Sequence, residues 1–73
     1  STTISRISAT NWTDGAEITL RLPSGITIEH LSASGTGAQM NLVGATNLTT
    51  TAVTYLHLLL DGGEWIEMYR RVL

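Results

Sequence analysis

Turn-forming residues interrupt this 73-residue chain at short, nearly regular intervals, and this spacing constrains the fold more than any other feature of the sequence. Glycine, proline, asparagine and aspartate cluster at 11–15, 23–25, 32–37, 44–47 and 61–63. These residue types favour turns because they adopt backbone conformations that most other residues avoid. The segments between the clusters have the length of β-strands. We therefore predict an all-β chain, with 32–37 as a flexible loop.

Hydrophobic alternation predicts where the first strands lie. The segment 16–22 alternates cleanly between apolar and polar residues, which is typical of a strand with one buried face. The segment 26–31 repeats this pattern, and the intervening Pro23-Ser24-Gly25 predicts a tight turn that joins the two strands in a hairpin. Weaker extended segments are predicted at 38–43 and around Ile4 and Ile7.

The last third of the chain is compatible with either helix or strand. Trp65, Met68, Tyr69 and Val72 follow helical spacing, and the composition of 52–60 also permits a helix. However, the short turn Asp61-Gly62-Gly63 separates two runs of nearly equal length, which is typical of a β-hairpin. We therefore predict strands over 52–60 and 65–73.

Both faces of the predicted strand 52–60 are apolar, which points to association. A strand in a sheet with one solvent-exposed side should alternate between apolar and polar residues. A strand that is apolar on both faces therefore lies either in the middle of a sandwich or at a subunit contact. The chain has no cysteine for disulfides, only 14% of its residues are charged, and its mean hydropathy is +0.15. Oligomerisation is the remaining support for so small a fold. We predict an interface formed by Leu56, Leu58, Leu60, Trp65, Tyr69 and Leu73.

Charge and motif content argue against several function classes. The net charge is −2 and all four basic residues are arginines, so we expect neither nucleic acid nor membrane insertion. No catalytic, phosphate-binding or metal-spaced motif occurs, so we expect no enzyme, no cofactor and no metal. The acidic residues read as solvated turn and edge charges, including Glu64 and Glu67.

A few side chains could contact a glycan. Trp12 lies in a polar turn, where it could stack on a sugar ring or simply cap the core. His30, like His57, reads as a hydrogen-bonded structural imidazole, although three copies of one histidine on a symmetry axis could hold a metal ion. Arg70 could pair with Glu64 or Glu67, or could bind a glycan carboxylate. The candidate glycan contacts are therefore Trp12, His30 and Arg70.

Five segments of the chain form an ordered set, namely 14–20, 27–30, 41–44, 55–58 and 61–70. The last of them is the most specific, because it contains the glycine turn, Trp65, Glu67 and Arg70. Taken in order, these segments resemble the small C-terminal domains of bacteriophage tailspikes, tail fibres and pre-neck appendage proteins, and the likeness covers roughly residues 4–70.

This resemblance implies a small antiparallel β-sandwich or β-prism protomer that assembles as a parallel homotrimer. The whole chain, 1–73, would then be one C-terminal trimerisation or tip domain, made in the host cytoplasm and carried at the tip of a virion appendage. The chain begins with Ser1 rather than Met, so we expect it to be a piece of a longer protein. Alternative roles are a carbohydrate-binding module for host surface polysaccharide and a chaperone that is released after trimer assembly.

Overall fold

β-Strands account for the regular secondary structure of residues 2–73, which are the residues that the computed structural model describes. The strands are β1 Thr2–Ile4, β2 Glu17–Leu22, β3 Ile26–Ile28, β4 Gln39–Asn41, β5 Leu48–Thr49, β6 Thr54–Asp61 and β7 Glu64–Val72. The all-β prediction is therefore confirmed, including strands in the last third of the chain. Within the described residues, no helix is long and apolar enough to cross a membrane. Ser1, on which the expectation of a longer parent chain rests, lies outside the described residues.

The strands form two mixed sheets rather than the purely antiparallel sheets that were predicted. One sheet has the order β1-β3-β5 and the other the order β2-β6-β7-β4. The pairs β1–β3 and β4–β7 are parallel, and the remaining pairs are antiparallel. Parallel pairs require a long crossover between their strands. The chain between β4 and β7 supplies one, because it contains β5 and β6.

The predicted hairpin between β2 and β3 is wrong, because these strands belong to different sheets. Hydrogen bonds with Thr50 fix the conformation of the intervening turn. The buried hydroxyl of Thr50 donates to the carbonyl of Pro23 (2.6 Å) and accepts the backbone N–H of Ile26 (2.9 Å). Its carbonyl also accepts the N–H of Gly25 (2.9 Å). The turn is therefore anchored to the end of β5 and directs the chain from one sheet into the other.

The predicted hairpin of β6 and β7 is confirmed, but a β-bulge changes the faces of β7. His57 lies opposite Tyr69 whereas Leu58 lies opposite Glu67, so Met68 is an extra residue in β7. One inserted residue reverses which side chains point inward. Trp65 and Tyr69, which strict alternation along β7 would place on one face, consequently lie on opposite faces of the sheet.

The core lies on one side of the four-stranded sheet and includes a residue of the three-stranded sheet, Ile28. Alternate residues of β6 point into it, and each is almost completely inaccessible to water. Trp65 is also fully buried, and its indole N–H donates to the carbonyl of Ile7 (3.1 Å). The buried apolar residues are Leu22, Ile28, Ala38, Met40, Leu42, Leu56, Leu58, Leu60 and Trp65. The opposite side of the four-stranded sheet, called here the outer face, is turned toward solvent.

Candidate functional site

Four of the six residues predicted at a subunit interface lie inside the core of a single chain. Leu56, Leu58 and Trp65 have no exposed surface, and Leu60 is 3% exposed. The chain covers these side chains itself because β6 and the start of β7 face the core, so their assignment to a contact between copies is corrected. Tyr69 and Leu73 remain on the surface, 57% and 68% exposed.

Large exposed apolar side chains are concentrated at the end of β7. Met68, Tyr69, Val72 and Leu73 are each more than half exposed, and we call these four residues at the end of the chain the C-terminal patch. The patch includes both faces of β7, since Tyr69 lies opposite His57 on the outer face and Val72 lies opposite the buried Thr54. The sheet offers them little cover, since β4 pairs with β7 only as far as Ile66. The remainder of β7 pairs with β6 on one side alone among the described residues.

A polar and aromatic cluster that includes Tyr69 of the patch lies on the outer face. The rings of His57 and Tyr69 are stacked, with centroids 4.8 Å apart and planes 7° from parallel. The Nε2 atom of His57 lies 2.6 Å from Oε1 of Glu17, and its Nδ1 atom lies 2.8 Å from the hydroxyl of Thr19. The register explains this contact, because Thr19, His57 and Tyr69 are direct neighbours across β2, β6 and β7.

This cluster satisfies His57 in either protonation state. A neutral ring can donate from Nε2 to Glu17 and accept the Thr19 hydroxyl at Nδ1, whereas an imidazolium donates to both partners. The hydroxyl and the carboxylate thus bind the two nitrogens of one imidazole, and Glu17 and Thr19 are exposed at the surface of the sheet. The cluster therefore orders the outer face and gives it a rigid aromatic surface next to the C-terminal patch.

The second ionic group is a buried carboxylate at the opposite side of β7. Both carboxylate oxygens of Glu67 accept hydrogen bonds from Arg70, each at 2.6 Å, and Oε1 also accepts the backbone N–H of Val43 (2.9 Å). Burial alone would raise the pKa of Glu67, but the hydrogen bonds from Arg70 and Val43 and the charge of Arg70 outweigh it, so the pKa is lowered. The hydrogen bonds that Arg70 donates to Glu67 raise the pKa of Arg70 against the smaller effect of burial, and the charge of Glu67 raises it further.

The prediction that Glu67 is a solvated edge charge is consequently wrong. Glu67 is 6% exposed and joins β7 to the segment that follows β4. The ion pair between Arg70 and Glu67, one of the two interpretations of Arg70, is present. The guanidinium of Arg70 donates two hydrogen bonds to the Glu67 carboxylate, so Arg70 is poorly placed to bind a glycan carboxylate as well.

The three candidate glycan contacts do not form one site. Trp12 is 50% exposed and makes an edge-to-face contact with Trp65, with ring centroids 6.0 Å apart. His30 is half-buried, and its Nδ1 atom accepts the backbone N–H of Leu42 (3.0 Å). Among residues 2–73, no hydrogen bond or ring contact joins Trp12, His30 and Arg70 to one another.

The cluster of Glu17, Thr19, His57 and Tyr69 was not predicted from the sequence. The sequence feature that could have indicated this cluster is the alternation of side chains along the strands. Glu17 and Thr19 occupy the polar positions of β2, and His57 lies on the less apolar face of β6. The pairing of β2 with β6, which joins segments about 40 residues apart, was needed to bring them together.

The described part of the chain contains no pocket and no group of three or more metal-ligating side chains. Comparisons with protein-family models, with curated protein sequences and with solved structures find no match to this chain. The C-terminal patch, the outer face and Trp12 are therefore the features from which a function can be proposed.

Proposed function

We propose that this chain is a non-enzymatic, C-terminal association domain of a bacteriophage tailspike, tail fibre or pre-neck appendage protein. Three copies would pack in parallel at the tip of the virion appendage, hold the chains in register and stabilise them. The C-terminal patch is the observation that carries this proposal. The number of copies and the viral context come from the sequence resemblance.

The patch supports association because exposed apolar surface is costly and is rarely concentrated without a partner. Four of the seven large exposed apolar side chains of residues 2–73 fall within the last six residues. Tyr69 is also held rigidly by its stacking on His57, so little side-chain entropy would be lost when a partner covers it.

The location of the patch suits a symmetric contact between copies. β7 continues beyond its partner β4, so an approaching chain meets apolar side chains and a strand edge that is unpaired within the described residues. Three such strand ends can converge around one axis, and every copy then contributes the same surface.

Light scattering coupled to chromatography at low micromolar concentration tests this proposal. The expected mass is three times that of the 7.9 kDa chain. Tyr69→Ser and Leu73→Ser should reduce it to the mass of one chain, because they remove apolar contact without disturbing the core. Val43→Ser is the matched control, since Val43 is 62% exposed but lies outside the patch. A wild-type chain that remains a monomer, or a loss of assembly caused equally by Val43→Ser, would reject the proposal.

Contact with a host surface polysaccharide is the second candidate function, and Trp12 favours it. Its ring is half exposed yet held by the edge contact with Trp65, which is the arrangement needed to stack on a sugar. Thr13 and Asp14 follow it and are exposed, so they could bind sugar hydroxyl groups. His30 and Arg70 are no longer part of this proposal, because each is occupied elsewhere in the fold.

Glycan-array binding of the wild type and of Trp12→Ala tests this second function. Binding should be lost in Trp12→Ala and retained in Val43→Ala, a change at an exposed apolar residue outside the C-terminal patch. The array should be read together with the mass of each variant, because a change in assembly alone would alter avidity. Equal binding by the wild type and Trp12→Ala would exclude Trp12 from any glycan site.

A further inference from the structure

β2 is an edge strand whose outward backbone groups have no partner strand in residues 2–73. Hydrogen-bonded pairs alternate along an antiparallel ladder, and the Leu60 N–H donates to the Ala16 carbonyl (2.8 Å) at the start of this one. This hydrogen bond fixes which residues of β2 form hydrogen-bonded pairs with β6. Counting along the register from Ala16, the backbone groups of Ile18, Leu20 and Leu22 point toward β6. The backbone N–H and C=O groups of Glu17, Thr19 and Arg21 therefore point away from the sheet.

This edge carries few of the features that usually prevent pairing with another chain. Proteins protect edge strands with charged side chains, especially lysine, and with proline, bulges or very short length. The two charged residues of β2, Glu17 and Arg21, have opposite signs. β2 contains no proline or lysine, extends over six residues and pairs with β6 in an unbroken register. Its outward-facing side chains are exposed, so a second strand could approach without displacing anything that the structure describes.

The sequence of β2 is complementary to itself when the strand is reversed. Glu17 and Arg21 lie two residues on either side of Thr19 and carry opposite charges. We propose that β2 pairs antiparallel with β2 of a second copy, about a two-fold axis at Thr19. Glu17 of each copy then lies opposite Arg21 of the other, and the two Thr19 residues face each other.

The backbone geometry agrees with this register. All three outward-facing residues would meet outward-facing residues, so the Glu17–Arg21, Thr19–Thr19 and Arg21–Glu17 pairs can all be hydrogen-bonded pairs. On the other face of the sheet, Ile18 would lie opposite Leu20 of the second copy. Both are half-buried in one chain, and the contact would cover them further.

A second copy of this chain is the partner that we infer, because the charge pattern of β2 is complementary to its own reverse. Oε1 of Glu17 already binds His57, while its other carboxylate oxygen can accept a hydrogen bond from an arginine. Arg21 is exposed and forms no ion pair within residues 2–73, so its guanidinium is available for this contact.

The two-fold contact uses the edge of the four-stranded sheet opposite to the C-terminal patch, so the two associations involve different surfaces. Glu17 is the one residue of the two-fold contact that also binds His57, on which Tyr69 of the patch stacks. It should double the mass of whichever species exists at low concentration. Three chains would become six if the proposed trimer forms, and one chain would become two if it does not. The two proposals can therefore fail separately.

Sedimentation equilibrium from low micromolar to about millimolar concentration at low salt measures this doubling. Arg21→Glu places two glutamates opposite each other at both ends of the paired strands. The association constant for pairing of two copies should therefore fall by at least about tenfold. Glu17→Arg should have the same effect. The double variant Glu17→Arg/Arg21→Glu should double again, and an equimolar mixture of the two single variants should form mixed pairs. This rescue would distinguish the proposed register from a general effect of charge.

Amide hydrogen exchange gives a second measurement that requires no substitution. The N–H groups of Thr19 and Arg21 should exchange quickly in dilute protein and slow down as concentration rises, whereas the Leu20 N–H, bonded to β6, should be protected throughout. Doubling of Arg21→Glu at the wild-type concentration, or Thr19 exchange that does not depend on concentration, would overturn the proposal.

Discussion

Gly37 permits a close approach of two backbone segments that no other residue would allow. Its φ is +101°, and a Cβ atom built on it would lie 2.8 Å from the backbone carbonyl carbon and oxygen of Ile7. The same carbonyl accepts the N–H of Ala38 (2.8 Å) and the indole N–H of Trp65 (3.1 Å). The sequence predicted a glycine-rich loop here. It could not single out this glycine, because the steric constraint comes from a residue 30 positions earlier.

Gly37→Ala should therefore be far more destabilising than Gly15→Ala. Gly15 has a similar φ of +94° but nothing within 4 Å of its Cβ position, so both variants share the strain of alanine in a left-handed conformation. Only Gly37→Ala adds a steric overlap, which should cost about 1–3 kcal/mol more in the free energy of unfolding. Urea unfolding of both variants measures the difference. Equal losses would mean that the Ile7 backbone is free to move away.

Ala45 shows the opposite case, a residue that glycine should improve. It is exposed in a turn with φ of +54°, where an L-residue is strained. Ala45→Gly should raise the free energy of unfolding by about 0.5–1 kcal/mol, because relief of strain exceeds the added entropy of the unfolded chain. Ala33→Gly is the control at an exposed position without positive φ and should be slightly destabilising. A destabilised Ala45→Gly variant would contradict this conformation of the turn.

At the scale of the elements, local patterns predicted the strands but not their partners. Alternation and turn residues located β2, β6 and β7 because both signals are contained within a few neighbouring residues. Two outcomes depended on distant contacts. The turn before β3 is held by Thr50, and the bulge at Met68 changes the faces of β7. Beyond Glu67, strict alternation along β7 therefore assigns side chains to the wrong faces of the sheet.

The ion pair of Glu67 and Arg70 should make the attachment of β7 sensitive to acid. The folded state lowers the pKa of Glu67 below its ordinary value of 4.5, so protons bind the unfolded chain more tightly. Its stabilising contribution is complete above pH 4.5 and is lost as the pH falls through the folded-state pKa. Glu67→Gln should cost about 1–3 kcal/mol at pH 7, and the difference from wild type should shrink in acid.

Urea unfolding at a series of pH values between 2 and 7 measures this effect. Glu64→Gln serves as the control, because Glu64 accepts only a long hydrogen bond from Asn41 (3.4 Å) and lies at the start of the same strand. If the difference between wild type and Glu67→Gln does not change with pH, the Glu67 carboxylate contributes no pH-dependent stability.

At the scale of the whole molecule, the excess of apolar residues was visible in the sequence, but its division between core and surface was not. Both faces of β6 are apolar, and the sequence could not show which face the chain covers. That choice depends on how the two sheets meet, so Leu58 was assigned to an interface and proved to be core. Tyr69 and Leu73 stayed on the surface because the bulge and the end of β4 leave them uncovered.

Core and interface can be separated by how unfolding depends on protein concentration. Leu58→Ala removes a fully buried side chain and should cost about 2–5 kcal/mol, lowering the thermal midpoint by a similar amount in dilute and concentrated samples. Leu73→Ala changes a side chain that is 68% exposed, so it should lower the midpoint only where copies associate. Melting curves at two concentrations a hundredfold apart compare the two variants. If Leu58→Ala melts like wild type when dilute and loses stability only when concentrated, Leu58 belongs to the contact between copies, and the core would have to be redrawn around the other leucines of β6.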